Sequence, residues 1–586
     1  MGQFIKFTFA SCLGVLIALG LLTVLLVMIG IGAAEAGKKS TVNDNSVLKL
    51  SFDYLVPEHT NNVTEAAFRL QQKVVIGLHD ILEMIRVAKT DDKIKGIYLN
   101  PTRYSLGTVK TAVLAEALQD FRTSGKWVLS YAEFYPQGGY ALAAQADTVM
   151  LNPIGSVDFR GYASLVPFFK ELLDKTGVKM QIYYAGEFKG ATEPFRRTDM
   201  SPENKLQTRE YLNDAYAHYL GLISSGRNIS ADRLFEIANT LKARNAEDAL
   251  ALQLVDEIAY EDQAHDWMRR RMGLEEDNDI TMIEPSEYYG AKERETSISK
   301  NRIAIVYAEG EIVTGKGDYG LIGDRRYTDI LSDLRTDERV KGVVLRINSP
   351  GGNILASENI LREVKLLRAG GKPVVVSMGD YAASGGYYIG ADADSIFAEP
   401  TTLTGSIGVF TLIPNVHEFL GDKLGVRFDT VRTGEYSAAF SPFFEWSEGE
   451  HAYMKFRTDE YYDLFLTHVS KSRNMTKEEV NEIAQGRIWS GDRALANGLV
   501  DRLGSLDDAI NSAAALAEIE EYKTSEYPRV LSPLNKLIAE LSGQDVSITE
   551  RYVERKIEKR IPHYREIKAL LNYTEPMARL PLIFDF

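Results

Sequence analysis

An internal repeat constrains the fold of this 586-residue chain more than any other feature of its sequence. Residues 90–99 (TDDKIKGIYL) match residues 336–345 (TDERVKGVVL), an offset of 246 positions from 90 to 336. Further matches follow in the same order at nearly the same offset: 137–140 with 384–387, 186–189 with 434–437, and 254–256 with 499–501. Matches that keep both order and spacing indicate tandem copies of one domain. We place the two copies at residues 46–290 and 300–525.

The second copy alternates strand and helix patterns. Residues 343–347 and 374–377 are short runs rich in β-branched side chains, which predict buried strands. Between them, residues 357–368 carry apolar side chains at close to helical spacing. Strand, helix and strand in succession predict a parallel sheet with right-handed crossovers, and hence an α/β fold in each copy. The polar residues 284–299 are predicted to link the copies, and residues 526–586 form a C-terminal tail of undetermined role.

The N-terminal region predicts a membrane anchor. Residues 7–34 contain no charged side chain and would span about 42 Å as a helix, more than the roughly 30 Å hydrocarbon core of a bilayer. We therefore expect a short cytoplasmic N-terminus (1–6), one transmembrane helix (7–34) and a polar stalk (35–45), with the body outside the cytoplasm. A cleavable signal peptide is the alternative, but its apolar region is usually only about 7–15 residues long.

Charge and composition exclude several functions. The net charge is −15 and no long basic run is present, which argues against nucleic acid as a partner. Cys12 is the only cysteine, and the eight histidines form no HxxxH or HExxH pair, so neither a metal site nor a disulfide framework is expected. Residues 348–352 (NSPGG) lack the glycine patterns of dinucleotide- and phosphate-binding loops, and no cofactor is predicted.

A serine among small residues is the first candidate for catalysis. Ser384 lies in residues 382–388 (AASGGYY), where a strand is expected to turn into a helix. Small neighbours would leave its hydroxyl accessible, and the N–H of Gly385 would point to the same space as an oxyanion donor should. The alternative is that Ser384 only caps a tightly packed helix. The motif by itself favours neither interpretation.

Comparison of the two copies adds a second candidate. The first copy has Gln137 where the second has Ser384, and it has Lys189 where the second has Ser437. No histidine falls in a matched motif, and a lysine can activate a serine if burial lowers its pKa. An ordinary surface lysine is the alternative, although the uncharged counterpart indicates that the shared fold does not require a lysine there. Each copy then lacks one catalytic group, so the active site is predicted to lie where the copies meet.

At these residues the chain resembles the signal peptide peptidase A (protease IV) family, in its long two-domain form. The resemblance covers roughly residues 46–525 and is carried by four motifs: 188–195 with 199–202, 348–352, 378–387, and 403–408. It implies that Ser384 is the nucleophile and Lys189 the general base. It also implies an oxyanion hole formed by the amide of Gly385 and one amide from the Gly351/Gly352 turn.

The resemblance also implies an architecture and a biological setting. The fold would consist of two tandem Clp-protease/crotonase-like domains, assembled into a bowl-like homotetramer on the outer face of the cytoplasmic membrane of a bacterium. The implied activity is hydrolysis of remnant signal peptides and other hydrophobic peptides through an acyl-enzyme. Two alternatives stay open: a crotonase-like acyl-CoA enzyme and a non-catalytic membrane scaffold. Whether one chain or two neighbouring subunits complete each Ser/Lys pair is also open.

Overall fold

The computed structural model describes residues 42–62, 75–275, 278–291, 299–529 and 577–579, together with Gly14 and Gly20. Within these ranges, no helix combines the length and apolarity needed to cross a bilayer. The anchor predicted at residues 7–34 lies outside the described residues except for Gly14 and Gly20.

The first half of the chain forms a six-stranded sheet in which every strand pairing is parallel. Its strand order is β6-β4-β3-β2-β1-β7. The elements of this half are, in chain order, β1 (Ser46–Ser51), α1 (Leu78–Thr90), β2 (Ile94–Asn100), α2 (Thr108–Arg122), β3 (Trp127–Tyr135), α3 (Gln137–Ala143), β4 (Thr148–Val157), α4 (Lys170–Thr176), β5 (Lys179–Ala185), α5 (Glu193–Arg196), α6 (Pro202–Arg227), α7 (Ala231–Asn239), α8 (Ala246–Ala251), β6 (Glu257–Ile258), α9 (Glu261–Met272), β7 (Thr281–Ile283) and α10 (Pro285–Ala291).

The second half forms an eight-stranded sheet, parallel except where β15 meets β17. The order is β17-β15-β13-β11-β8-β19, with β14 and β18 branching from β13. Its elements are β8 (Arg302–Glu309), β9 (Ile312–Val313), β10 (Ile322–Gly323), α11 (Asp324–Thr336), β11 (Val340–Ser349), β12 (Gly351–Asn353), α12 (Ile354–Ala369), β13 (Val374–Ala383), α13 (Gly385–Gly390), β14 (Ser395–Ala398), β15 (Leu403–Gly405), β16 (Val409–Asn415), α14 (Glu448–Arg473), α15 (Lys477–Ile483), β17 (Ile488–Trp489), α16 (Gly491–Ala496), β18 (Arg502–Leu503), α17 (Leu506–Leu516), β19 (Lys523–Tyr527) and β20 (Met577–Arg579).

The predicted strand–helix–strand unit is confirmed. The two predicted strands lie within β11 and β13, which pair in parallel, and the predicted helix lies within α12. Both faces of this sheet are buried, which explains the nearly continuous apolar runs of its strands. In β8, for example, Ile303 and Ile305 join a cluster with α17, whereas Ala304 and Val306 join one with α12. The segment predicted as a linker also contains helix α10, which the sequence pattern did not predict. This helix packs against the first half, because its Tyr288 is buried and donates a hydrogen bond to Asp91.

A third, mixed sheet joins the two halves of the chain. Its order is β10-β9-β12-β20-β16-β5, and all its strands except β5 follow residue 300 in the sequence. Strand β5 pairs antiparallel with β16 over seven residue pairs, from Val409 opposite Ala185 to Asn415 opposite Lys179. Because β5 ends four residues before Lys189, this pairing carries Lys189 to the second half of the chain.

A buried cluster of charges also holds the halves together. Nε of Arg346 in β11 donates to Glu58 Oε2 at 3.0 Å, and Lys110 Nζ in α2 lies 3.5 Å from Glu58 Oε1. Asp380 in β13 accepts hydrogen bonds from the backbone N–H groups of Val109 and Lys110 at the start of α2. The charged side chains are all less than a tenth exposed. Since buried charges are tolerated only when paired, these contacts fix the relative position of the two halves.

Candidate active site

Ser384 lies at a strained turn between β13 and α13. Its backbone φ is 55° and its ψ is −117°, a conformation that L-residues rarely adopt and that persists only where surrounding structure enforces it. The backbone N–H of Ser384 donates to the carbonyl of Gly405 at 2.8 Å, which fixes the turn. A Cβ at Gly386 would meet the carbonyl oxygen of Ser349 at 2.6 Å, so the second glycine of the motif is required by space. The turn thus resembles a nucleophile elbow.

Lys189 is brought to this serine from the other half of the same chain. Its side chain is 1 % exposed, and Nζ donates to Ser384 Oγ at 2.9 Å. The same Nζ donates to the carbonyl oxygen and to Oγ of Ser406, both at 3.0 Å. The surface-lysine interpretation is therefore wrong. The structure brings the two predicted residues together where the copies meet, and a single chain supplies both.

Burial changes the proton affinity of this lysine. It lowers the pKa of Lys189 from its ordinary value of 10.5 to about 7. The hydrogen-bond acceptors of Nζ are hydroxyl and carbonyl groups, and none carries the negative charge that would hold the proton in place. A large fraction of Lys189 is consequently neutral near pH 7, with a lone pair on Nζ within hydrogen-bond distance of the Ser384 hydroxyl.

The segment around Lys189 is fixed by neighbours that belong to α6 and to the second half. Glu193, which is buried, accepts hydrogen bonds from the N–H of Ser201 and from Nδ2 of Asn204. Nε2 of Gln207 donates to the carbonyl of Phe188, next to Lys189 in the chain. The backbone on both sides of Lys189 is therefore restrained. Such restraint is needed because the Lys189 amine must be held within hydrogen-bond distance of one particular atom, Ser384 Oγ.

The glycine pair of the NSPGG motif lies beside this site. Gly351 has a φ of 99°, and a Cβ at Gly352 would meet the carbonyl oxygen of Ile312 at 2.1 Å. Gly351 and Gly352 begin β12, and the N–H of Gly351 donates to Oγ of Ser349 at 3.1 Å. Of the two glycines predicted for the oxyanion hole, Gly351 thus already has a hydrogen-bond acceptor.

Two residues of the site were missed by sequence reasoning. Ser406 accepts two hydrogen bonds from Lys189 and has a φ of 49°. The glycines that flank it in residues 403–408 were a usable signal, because they allow a backbone to approach a neighbour closely. Gly486 contacts Lys189 from the other side: a Cβ there would lie 2.7 Å from Cα, Cβ and N of the lysine. No sequence motif marked Gly486.

We expect Gly486→Ala to lower kcat by about 100-fold, since a misplacement of about 1 Å can cost that much. The added methyl group would displace the Lys189 backbone, and φ at Gly486 is +78°. Steady-state peptide hydrolysis measures the effect. Gly425→Ala is the matched control, because Gly425 has a similar φ of +71° with nothing near its Cβ position. Equal activity in the two variants would contradict a positioning role for Gly486.

In the other copy, the positions that match the pair are Gln137 and Ser437. Gln137 is the first residue of α3, and Ser384 directly precedes α13. Oε1 of Gln137 accepts a hydrogen bond from the N–H of Arg160 at 3.3 Å. Ser437 is exposed, and its Oγ accepts from the N–H of Gly434 at 2.9 Å. The strained backbone turn is specific to the second copy: Ser384 has a φ of 55°, whereas Gln137 is not among the residues with positive φ.

Comparison with known proteins identifies the class of protein to which this chain belongs. The model of "Peptidase family S49" matches the chain twice, over residues 120–275 and 367–520. "Protease 4" of Salmonella typhi is 36 % identical over 485 residues, covering 81 % of this chain and 77 % of the relative. "Protease 4" of Haemophilus influenzae is 37 % identical over 519 residues, covering 84 % and 83 %. "Putative signal peptide peptidase SppA" of Enterococcus faecium is 34 % identical over 281 residues, covering 45 % and 81 %.

With the α/β fold and the paired serine and lysine, these matches define the chain as a serine peptidase. It belongs to peptidase family S49, and the two family domains account for the repeat detected in the sequence. Neither alternative, an acyl-CoA enzyme or a non-catalytic scaffold, is favoured by any of these relatives. Among solved structures, a mutant of ClpP1 from Listeria monocytogenes matches with a TM-score of 0.25 and 15 % identity, covering 35 % of this chain and 94 % of the other.

Proposed function

We propose that Ser384 is the nucleophile and Lys189 the general base of this peptidase. The observation that carries the proposal is the 2.9 Å contact between Lys189 Nζ and Ser384 Oγ, made by a lysine whose burial lowers its pKa to about 7. A general base works best when its pKa lies near the working pH and its lone pair is within hydrogen-bond distance of the proton it removes. Lys189 meets both requirements.

The proposed reaction follows the acyl-enzyme route. Neutral Lys189 accepts the Ser384 proton as Oγ bonds to the scissile carbonyl carbon, and the resulting ammonium protonates the leaving amine as the C–N bond breaks. Water then attacks the ester carbon as Lys189 accepts its proton. The bond between that carbon and Ser384 Oγ breaks, the Lys189 ammonium returns the proton to Oγ, and the acid product leaves. The amides of Gly385 and Gly352 are the proposed oxyanion donors. We prefer Gly352 to Gly351, whose N–H already donates to Ser349. Each donor contributes about 3–4 kcal/mol.

The proposed substrates are remnant signal peptides and other hydrophobic peptides. Apolar side chains beside Lys189 support this class: Ala191, Phe410 and Leu412 are buried in one cluster, and the Phe410 ring centre lies 6.0 Å from Nζ. The uncharged residues 7–34 support a single membrane anchor. An anchored peptidase in the cytoplasmic membrane of a bacterium, with its body on the outer side, would meet membrane-bound peptides at high effective concentration.

Assembly into a homotetramer is part of the proposal. A contiguous stretch that follows β16 exposes several apolar side chains: Leu424, Val426, Phe428, Val431 and Tyr436. Exposed apolar patches of this kind mark surfaces that contact another molecule. We therefore propose this stretch as part of the contact between subunits.

Labelling with a fluorophosphonate probe tests the catalytic assignment. We expect the probe to modify Ser384, and the labelling rate to rise with pH through a midpoint near 7 to a plateau. The labelling rate should rise with pH because the pKa of Lys189 is lowered to about 7. Below about pH 7 the lysine is mostly an ammonium ion, which has no lone pair with which to accept the serine proton. Ser384→Ala should abolish labelling, and Ser437→Ala, at the matched position of Lys189, should not. Modification at another residue, or a rate independent of pH between about 5 and 9, would refute the assignment.

A further inference from the structure

A cavity of about 410 Å³ lies between the two halves of the chain. Helices α2, α3 and α6 of the first half form most of its wall, and the turn after β14 in the second half contributes Glu399, Pro400 and Thr401. None of these elements carries Ser384 or Lys189. Most of the lining is apolar, and the volume lies within the roughly 300–1,000 Å³ of ordinary small-molecule pockets.

The internal repeat relates the walls of this cavity to the second copy. Helices α6 and α14 are both 26 residues long and begin 246 positions apart, at residues 202 and 448. The matching segments on either side of α2 and α12 have the same offset, and those that begin α3 and α13 have an offset of 247. Three alanines of the cavity consequently occupy the positions of larger side chains in the second copy: Ala112 matches Glu358, Ala141 matches Tyr388, and Ala215 matches Tyr461.

An aromatic ring fills the corresponding space in the second copy. The Tyr388 ring packs edge-to-face against Phe465 with the ring centres 4.7 Å apart, and its hydroxyl donates to Glu358 Oε2 at 2.6 Å. The residue that matches Phe465 is Tyr219, which lines the cavity and is 4 % exposed. The Tyr219 hydroxyl has no hydrogen-bond partner among the residues that the structure describes. The first copy therefore has the aromatic wall of this site but lacks the ring that packs against it.

The polar side of the cavity is acidic. Glu399 is 9 % exposed, and no donor in the described part of the chain hydrogen-bonds to its carboxylate. Burial raises the pKa of Glu399 to about 7, despite the nearby charge of Arg346. Glu116 of α2 also lines the cavity, whereas the one lining histidine, His218, is already paired with Asp492. Since no lysine or arginine of the described ranges lines the cavity, its charge favours a cation.

We propose that this cavity binds an aromatic amine. The ring packs on Tyr219, in the position that Tyr388 has in the second copy, and the ammonium group pairs with Glu399 and Glu116. The second copy thus fills its site with its own side chain, whereas the first takes the ring from another molecule. Because both halves line the cavity, the bound amine contacts both and stabilises the contact between them. The inference does not depend on the catalytic roles of Ser384 and Lys189.

Calorimetric titration of the full-length chain with tyramine, a phenol with an ethylammonium group, is the first test. At about pH 8, where Glu399 is charged, we expect a Kd of about 10 µM to 1 mM, as suits so small a ligand. The acid 3-(4-hydroxyphenyl)propanoate has the same ring with a carboxylate head group and should bind at least about tenfold more weakly. Glu399→Gln should weaken tyramine binding by about tenfold. Absence of tyramine binding, or equal affinity for the amine and the acid, would overturn the proposal.

Filling the cavity is the second test. Ala141→Tyr introduces the residue that the second copy has at this position, and should abolish tyramine binding while circular dichroism shows an intact fold. Ala251→Tyr is the matched control, because Ala251 is exposed on α8 outside the cavity, and should bind tyramine as the parent does. Ala215→Tyr fills the cavity from α6 and is titrated in the same way, so that the test stands if Ala141→Tyr does not fold. Parent-like affinity in a folded cavity-filling variant would show that tyramine binds elsewhere and would overturn the assignment.

Discussion

Replacing Lys189 with methionine is expected to lower kcat/KM for peptide hydrolysis by about 10²- to 10⁴-fold, the usual contribution of a positioned general base. Methionine fills nearly the same volume but has no lone pair of comparable basicity to accept the Ser384 proton. Lys189 is the only side chain whose nitrogen donates to Ser384 Oγ within the part of the chain that the structure describes. Steady-state kinetics on a hydrophobic peptide reporter measure the loss.

We expect the Lys189→Met variant to fold, because the buried lysine, whose pKa is lowered, reduces the stability of the parent. Because burial lowers the pKa of Lys189 from 10.5 to about 7, the buried amine reduces stability most at and below about pH 7, and this cost is lost as the pH rises toward 10.5. Methionine removes that cost, and the melting temperature should equal or exceed that of the parent at about pH 7. Lys189→Arg is the companion variant, because arginine keeps the charge but stays protonated. Activity of either variant within tenfold of the parent would exclude Lys189 as the base.

Replacing Glu58 with alanine is expected to reduce the apparent free energy of unfolding by about 3–5 kcal/mol, the usual cost of removing one partner from a buried ion pair. Arg346 would then be left without its carboxylate partner, beside the buried Lys110. Burial raises the pKa of Glu58, but the charges of Arg346 and Lys110 outweigh it and the net pKa is lowered, so the carboxylate is charged at neutral pH. Urea unfolding followed by tryptophan fluorescence measures the change.

Hydrolysis should fall together with stability in this variant, because Glu58 and Arg346 lie on opposite sides of the contact that brings Lys189 to Ser384. Asp459→Ala is the matched control: its pair with Lys455 is exposed, and removing it should cost about 0.5 kcal/mol or less. The double variant Glu58→Gln/Arg346→Met should recover most of the lost stability, since it removes both charges. A cost for Glu58→Ala no greater than that of the exposed pair would show that the cluster does not hold the halves together.

The repeat was the part of the sequence from which the site could be predicted. The exchange of Gln137 and Ser384, and of Lys189 and Ser437, indicated that neither copy is complete, and the structure places Lys189 beside Ser384 at the contact between the halves. The strands β11 and β13 followed from β-branched runs because a sheet buried on both faces needs apolar residues at every position. These features are local or repeated, and a single sequence reveals both.

The rest depends on contacts between distant residues, which local patterns do not encode. The pairing of β5 with β16, the contact of Gly486 with Lys189 and the insertion of β20 each join segments far apart in the chain. Strand β5 is mostly half-buried and has no strong alternation, so periodicity could not assign it to the other half. The tail segment around Met577 is too short to give a periodic signal at all.

With the proposed catalytic roles of Ser384 and Lys189, the pairing of β5 with β16 also sets when activity can arise during synthesis of the chain. The proposed base, Lys189, and the proposed nucleophile, Ser384, are 195 residues apart in the chain. At a translation rate of about 5–20 residues per second, the ribosome takes roughly 10–40 s to pass from one to the other. During that interval the nascent chain carries Lys189 without a serine to activate, and even Ser384 meets the lysine only after residues 409–415 have been added. With the proposed catalytic roles, proteolysis is thereby delayed until most of the molecule has been made.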